Sequence, residues 1–458
     1  MTSWIASVPG ARVSADEIAD AIGQHRPTDE QRAVIESPLG PALVVAGAGS
    51  GKTETMSARV LWLVANGFVA PAQVLGLTFT RKAAGELSHR IRERLTALGR
   101  TPLMSREPEA PPLVDAFTQP TVSTYNAFAS TLYRDHAVLI GRDPEGAVLG
   151  EASAWQLARQ VVTSSDDARL AELDQPVDRL TAAVLQLAHA VAEHDADIAD
   201  VRSYIEEFLG VADLPLGDRH VRAQGMEALL RLGATLPIVD LVERFQSLKA
   251  REGLVEFSDQ VSLALRIVAR HAEVAASVRD RYRVVLLDEY QDTNVAQSRL
   301  LASLFAGLPV MAVGDPHQSI YGWRGASASN LDDFARRFTS GEDAGVARYS
   351  LSTSWRNGHR ILDVANALVE PLTARGSVPV ERLHPGPSAS AEPVELAQLE
   401  TVTAEAEAVA RWLAARLAEP PHGAAPGAVD DAGRALRSSV ALLMRNRTLQ
   451  PAFLFALR

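Results

Sequence analysis

"VVAGAGSGKTETM", residues Val44 to Met56, decides how the rest of the chain is read. An apolar run ends in Gly47, Gly49 and Gly51, and Lys52 and Thr53 follow at once. Three glycines at this spacing let backbone N–H groups turn toward one anion, and a helix starting at Lys52 adds its positive end. Lys52 then reaches β- and γ-phosphates, and the Thr53 hydroxyl ligates Mg²⁺. The usual pattern is G-x-x-x-x-G-K-[ST]; here Ala46 stands in the first glycine position. The expected nucleotide cradle is Ala46, Gly47, Ala48, Gly49, Ser50, Gly51, Lys52 and Thr53.

A phosphate loop needs a sheet behind it. "ALVVAG" (42–47), "VLGLTFT" (74–80), "VVLLD" (284–288) and "VMAVGD" (310–315) are short, continuous apolar runs. Such runs suit parallel strands covered on both faces. Helical patterns such as 81–98 intervene, so the expected class is α/β with a parallel, doubly wound sheet. Residues 140–255 carry no strong strand pattern. Leu180, Val184, Leu187 and Val191 recur there at helical spacing, which marks an all-helical insertion. Pro-rich stretches at 106–120, 384–393 and 419–433 read as loops.

The chain has 458 residues, which at ~150 per domain is room for about three domains. Its net charge of −11 argues against non-specific coating of nucleic acid but leaves room for a local basic groove. No apolar run approaches the ~18 residues that a membrane helix needs. The absence of cysteine excludes disulfides and thiolate-held metal in this chain and fits a reducing cytoplasm.

Three further stretches carry chemistry. "VVLLDEYQDT" (284–293) delivers Asp288 and Glu289 at a strand end, where Asp288 suits a Mg²⁺ ligand and Glu289 a base on the attacking water. "VGDPHQSIYGWRGA" (313–326) offers Gln318 to sense a γ-phosphate and Tyr321 and Trp323 to stack on bases. His317 has no partner His or Cys nearby and does not read as a metal ligand. "STSWRNGHRILDVAN" (352–366) offers Arg356 to the γ-phosphate and Trp355 to adenine. Each stretch alone has a plainer reading: a flexible glycine turn, a solvated acidic turn, core aromatics, a surface arginine. The P-loop and the acidic strand end together favour the nucleotide.

In this order the stretches resemble superfamily 1A DNA helicases of the UvrD/Rep/PcrA type. "PTDEQRAVI" (27–35) looks like their Q motif, which places Gln31 on adenine. "GLTFTRKAAGELSHRI" (76–91) looks like motif Ia, which places Phe79, Thr80 and Lys82 on the DNA track. "STYNAFASTL" (123–132) looks like their Ib region and adds Tyr125, and Arg324 joins Tyr321 and Trp323 in the motif III segment. "VEFSDQ" (255–260) resembles the segment before the acidic strand. The wording of 57–69 is also similar to actinobacterial helicase–nuclease motors of the AdnAB type.

The resemblance implies ATP-driven 3′→5′ movement on single-stranded DNA and at single/double-strand junctions, with ATP and Mg²⁺ as cofactors and repair or recombination as the setting. It implies a RecA-like domain 1A (1–139 and 256–340), a helical insertion 1B (140–255) and a partial RecA-like domain 2A (341–458). Ser354-Trp355-Arg356-Asn357 stands where the family usually has Asn-Tyr-Arg-Ser, and Pro316 and His317 replace more usual acidic residues. No T-x-H-x-A-K-G or Y-V-x-x-T-R-A segment is present, so a C-terminally truncated chain is expected. Two other functions are an ATPase that clamps DNA without unwinding it and a motor subunit paired with a helicase or nuclease.

Overall fold

Six strands lie parallel in one sheet: β1 (Ala42–Ala46), β2 (Val74–Thr78), β3 (Thr121–Thr124), β4 (Val284–Leu287), β5 (Val310–Gly314) and β6 (Ala347–Leu351). Their order is β3-β2-β4-β5-β1-β6. The computed structural model describes residues 10–104, 118–213, 219–322, 325–326, 329–339, 345–374, 378–418, 428–429 and 438–458.

The apolar runs split between two cores because successive side chains on a strand face opposite ways. Leu43, Val45, Leu75, Leu77, Val285, Leu287, Val310 and Ala312 join one core with the helices Tyr125–His136, Phe257–Arg270 and Val295–Phe305. Ala42, Val44, Ala46, Val74, Val284, Leu286, Met311 and Val313 join the other with the helices Lys52–Ala65 and Arg81–Leu98. A strand buried on both faces must be apolar at every position, which is why these four runs are legible. The sheet is the α/β, RecA-like P-loop arrangement that the sequence suggests.

Strands β3 and β6 escape the pattern. They sit at the two edges, and "TVST" and "ARYSL" are only partly buried. The pairing of β6 with β1 runs from Ala42↔Ala347 to Ala46↔Leu351. This corrects one expectation: residues 347–351 extend the first sheet, although the boundary at 340/341 assigned them to a second lobe. A lone edge strand without continuous apolar character gives no signal of which sheet it joins.

Between Glu151 and Arg251 the described residues form helices, with a separate core of Ala158, Val161, Leu180, Val184, Leu241, Val242 and Phe245. The last helix of this region, Leu236–Arg251, leads back to the sheet through Val255, whose backbone pairs with Ala147 and Leu149. Residues 392–458 form a second compact unit. In it Ala406 and Leu413 of helix Val402–Ala418 and Phe453 of helix Gln450–Ala456 are buried, and Trp412 Nε1 donates to Glu395. No described helix is long and apolar enough to cross a membrane.

Candidate nucleotide site

The P-loop leaves β1 and turns twice through left-handed backbone, at Gly49 (φ +77°) and Gly51 (φ +84°). A side chain is strained at either position. Ser50 Oγ donates to Gly47 O at 2.9 Å and closes the turn. Gly51 caps helix Lys52–Ala65 without a side-chain hydrogen bond, so the helix start offers its backbone N–H groups.

Residues 352–357 strap the loop from outside. Ser354 Oγ donates to Ala48 O at 2.9 Å, and Trp355 N donates to Gly49 O at 2.8 Å. A trans peptide points its N–H opposite its C=O. Holding these carbonyls on the strap side therefore turns the N–H groups of Gly49 and Ser50 the other way. The strap brings Arg356 with it: its Cβ lies 2.7 Å from where a Gly49 side chain would begin.

Across the sheet edge, β4 delivers the acidic pair. Lys52 Nζ donates to Glu289 Oε2 at 2.8 Å. Glu289 is itself left-handed (φ +50°), an uncommon backbone for a non-glycine residue that aims its side chain at the loop. Asp288 is 5% exposed; Thr78 Oγ1 donates to its Oδ2, and its Oδ1 is buried without a hydrogen-bond partner. Burial first, then the neighbouring Glu289 charge, push the Asp288 carboxyl up to about 6. The same two causes push Asp292 up to about 7, and its Oδ1 is also buried and unpartnered.

A relay that the sequence did not announce connects this pair to the next strand. Gln291 Nε2 donates to Glu289 Oε2 at 2.9 Å, Asp315 N donates to Gln291 Oε1 at 3.2 Å, and Gln318 Nε2 donates to Asp315 Oδ2 at 2.7 Å. Gln291 is 2% exposed. Its signal was its place two residues after Glu289 in the turn that closes the acidic strand. Gln318 thus reaches the site through Asp315 and Gln291.

A cavity of about 770 Å³ opens beside the helix start, lined by Ile18, Gln31, Gly51, Glu54, Arg94 and Trp355 among others. Gln31 is buried at the first turn of helix Asp29–Ile35 and shares a capping box with Thr28. Its Nε2 sits 2.8 Å from where a Gly51 side chain would begin, with Trp355 Cδ1 3.9 Å from the same point. Arg94 and Glu54, not singled out in the sequence, form a bidentate pair at 2.6 and 2.9 Å on this wall.

The expected DNA residues divide. The rings of Phe79, just after β2, and Tyr321, in the segment that follows β5 and a 3-10 turn, lie 4.7 Å apart. Lys82 is exposed, 3.7 Å from Glu86. Thr80 uses its hydroxyl to cap helix Arg81–Leu98, accepting from Ala83 N. Tyr125 corrects its expectation: it is 3% exposed and its hydroxyl donates to Asp288 O at 2.8 Å, so it is a core residue beneath the acidic strand end. Trp323 and Arg324 lie outside the described residues. His317 Nε2 meets Thr373 Oγ1 at 3.0 Å, and no group of three or more metal-ligating side chains occurs among the described residues.

The UvrD/REP helicase N-terminal domain family matches residues 27–339. The chain is 32% identical over 369 residues to the ATP-dependent DNA helicase UvrD2 of Mycobacterium tuberculosis (strain ATCC 25618 / H37Rv), covering 78% of this chain and 46% of that protein. It is 29% identical over 350 residues to DNA helicase II of Escherichia coli (strain K12), covering 75% and 40%. Over 343 residues it is 26% identical to DNA helicase II of Haemophilus influenzae (strain ATCC 51907 / DSM 11121 / KW20 / Rd), covering 74% and 40%. The chain spans less than half the length of these relatives.

Proposed function

The chain belongs to the UvrD/REP helicase family, and on that premise we propose that it carries the ATP-hydrolysing face of a DNA helicase that moves 3′→5′ on single-stranded DNA in repair or recombination. The observation that carries this reading is the meeting of Lys52 with Glu289 at 2.8 Å, which gathers a phosphate cation, a base and a buried carboxylate at one sheet edge.

Each residue has a task. The P-loop N–H groups and Lys52 bind the β- and γ-phosphates. Binding exchanges Lys52's partner, since the phosphate oxygens compete with Glu289 for the same ammonium. Glu289, released, accepts a hydrogen bond from the attacking water and orients it in line with the γ-phosphorus. Gln291, donating to Glu289, holds that carboxylate's rotamer. Arg356 brings a second cation to the phosphate end, and Gln31 and Trp355 take the base.

The residues fit Mg²⁺. The unpartnered Asp288 Oδ1 and the raised Asp288 carboxyl both call for a nearby positive charge. Thr53 and Asp288 would hold the ion, with nucleotide and water supplying its other oxygens. When bound, Mg²⁺ offsets the charge that develops on the transferred phosphoryl group.

Phe79 and Tyr321 would stack on bases where strand ends β2 and β5 open to solvent, and Lys82 would meet a phosphate. Residues 140–255 take the place of the inserted 1B domain, and the second lobe would begin after Leu351. The deciding experiment measures ATP turnover with and without single-stranded DNA, and strand separation on a duplex with a 3′ tail. DNA-stimulated turnover with unwinding only from the 3′ tail supports the reading. Stimulated turnover without unwinding would leave a clamping ATPase.

A further inference from the structure

Glu30 precedes Gln31 in the first turn of helix Asp29–Ile35 and, unlike Gln31, is not among the residues that line the cavity. Both oxygens are engaged: Ser352 N donates to Oε2 at 2.8 Å and Ser352 Oγ donates to Oε1 at 2.5 Å. Ser352 begins the strap. Three residues on stands Trp355, whose N–H holds Gly49 O, and the intervening Ser354 holds Ala48 O. The strap is pinned from a third side, where His384 N donates to Ser352 O at 2.8 Å and Gly386 N donates to Ser354 O at 2.9 Å.

Consecutive residues of one helical turn thus do different work. Gln31 lines the cavity, and Glu30 grips the chain that carries the opposite wall. The grip suits its position, because a carboxylate in a helix's first turn is favoured by the helix dipole and a bidentate charge-assisted contact fixes orientation as well as distance. Trp355, 52% exposed, has little packing of its own to hold it. Its place across from Gln31 depends on the backbone from Ser352 to Arg356.

We propose that Glu30 is a positioning residue for the nucleotide base: through Ser352 it holds Trp355 opposite Gln31, so that the preference for ATP over a bare phosphate chain depends on a carboxylate that touches neither base nor phosphate. This rests on the nucleotide reading above.

The test compares binding of ATP and of inorganic tripolyphosphate, each with Mg²⁺, to the full chain and to Glu30→Ala, Ser352→Ala and the double variant. Tripolyphosphate meets the P-loop and Arg356 but brings no base for Gln31 and Trp355 to hold, so its affinity also reports that the phosphate end of the site is folded. Glu30→Ala is expected to lose about tenfold in ATP affinity and Ser352→Ala about threefold, with a clearly smaller loss for tripolyphosphate in each and the double variant no worse than Glu30→Ala. In turnover the loss should fall on KM rather than kcat. ATP affinity equal to the parent's in Glu30→Ala, or equal losses for both ligands in Ser352→Ala, would overturn the proposal. Should Glu30→Ala not fold, Ser352→Ala decides by the same split. A parent chain that binds neither ligand would overturn the nucleotide reading itself, and this inference with it.

Discussion

Lys52 Nζ and Glu289 Oε2 lie 2.8 Å apart although 237 residues of chain separate them. The contact spans two strand ends that are not neighbours, since β5 lies between β1 and β4. It is possible because the left-handed turn at Glu289 carries that side chain sideways over the sheet edge.

Removing the two partners should therefore have different effects. Lys52→Ala takes away the P-loop cation, and ATP affinity should fall by about 1.5–3 kcal/mol. Glu289→Gln keeps the shape and leaves Lys52 free for phosphate. Binding should persist or tighten while turnover falls by about 10²–10⁴. Equilibrium binding and single-turnover hydrolysis separate the two; normal hydrolysis in Glu289→Gln would remove Glu289 as the base.

The ring pair proposed for the DNA track allows a salt test. Phe79→Ala should weaken single-strand binding by about 1–3 kcal/mol at fixed salt and leave the salt slope unchanged, since stacking releases no counterions. Lys82→Ala should instead weaken binding modestly and lower the slope by about one. Titrations of oligonucleotide at several salt concentrations read both. An unchanged affinity in Phe79→Ala would return the Phe79–Tyr321 pair to mutual packing alone.

Tyr125 should behave as a core residue. Tyr125→Phe removes the donor to Asp288 O and should destabilise the chain by about 0.5–1.5 kcal/mol, seen in denaturant unfolding. Affinity for DNA should be unchanged. A loss of DNA affinity with intact stability would restore Tyr125 to the track.

A pH dependence follows from the cluster where the helical insertion meets the sheet domain, in which half-exposed His189 meets the buried pair Lys249 and Glu256. His189 Nε2 lies 2.8 Å from Glu256, and Lys249 Nζ donates to Glu256 at 2.6 Å and to Asp259 at 2.7 Å. The Glu256 hydrogen bond raises His189 above 6.5, with Glu193 adding to it and burial and Lys249 opposing. Burial raises Glu256, but His189 and Lys249 outweigh it and leave it below 4.5. The His189 contribution is complete below about 6.5 and is lost as pH rises through its raised native value. The Glu256 contribution is present above about 4.5 and is lost as pH falls through its lowered native value. Thermal stability should decline as pH rises above about 6.5 toward the raised native value of His189, and His189→Gln should flatten that decline. A variant with the parent's profile would show that the pair does not contribute.

The sequence by itself determined the sheet's inner strands, the phosphate loop and the acidic strand end. Each of these is a local necessity. A strand buried on both faces must be apolar throughout, a loop that turns twice through left-handed backbone requires glycine, and a cation and hydroxyl must open the helix that follows. The helical insertion was legible for the same reason, since Leu180, Val184 and Leu187 recur at helical spacing and pack into one core. Only the tertiary structure decided which residues share a site. The edge strand β6 reveals its sheet only through pairing with β1. Tyr125 and Phe79 are both aromatic residues at strand ends, yet one is buried beneath Asp288 and the other meets Tyr321. Gln291 and Glu30 act by holding another residue in place, and such a role leaves no trace in residue type or spacing. It exists only once distant segments have been brought within hydrogen-bonding distance by burial of the sheet between them.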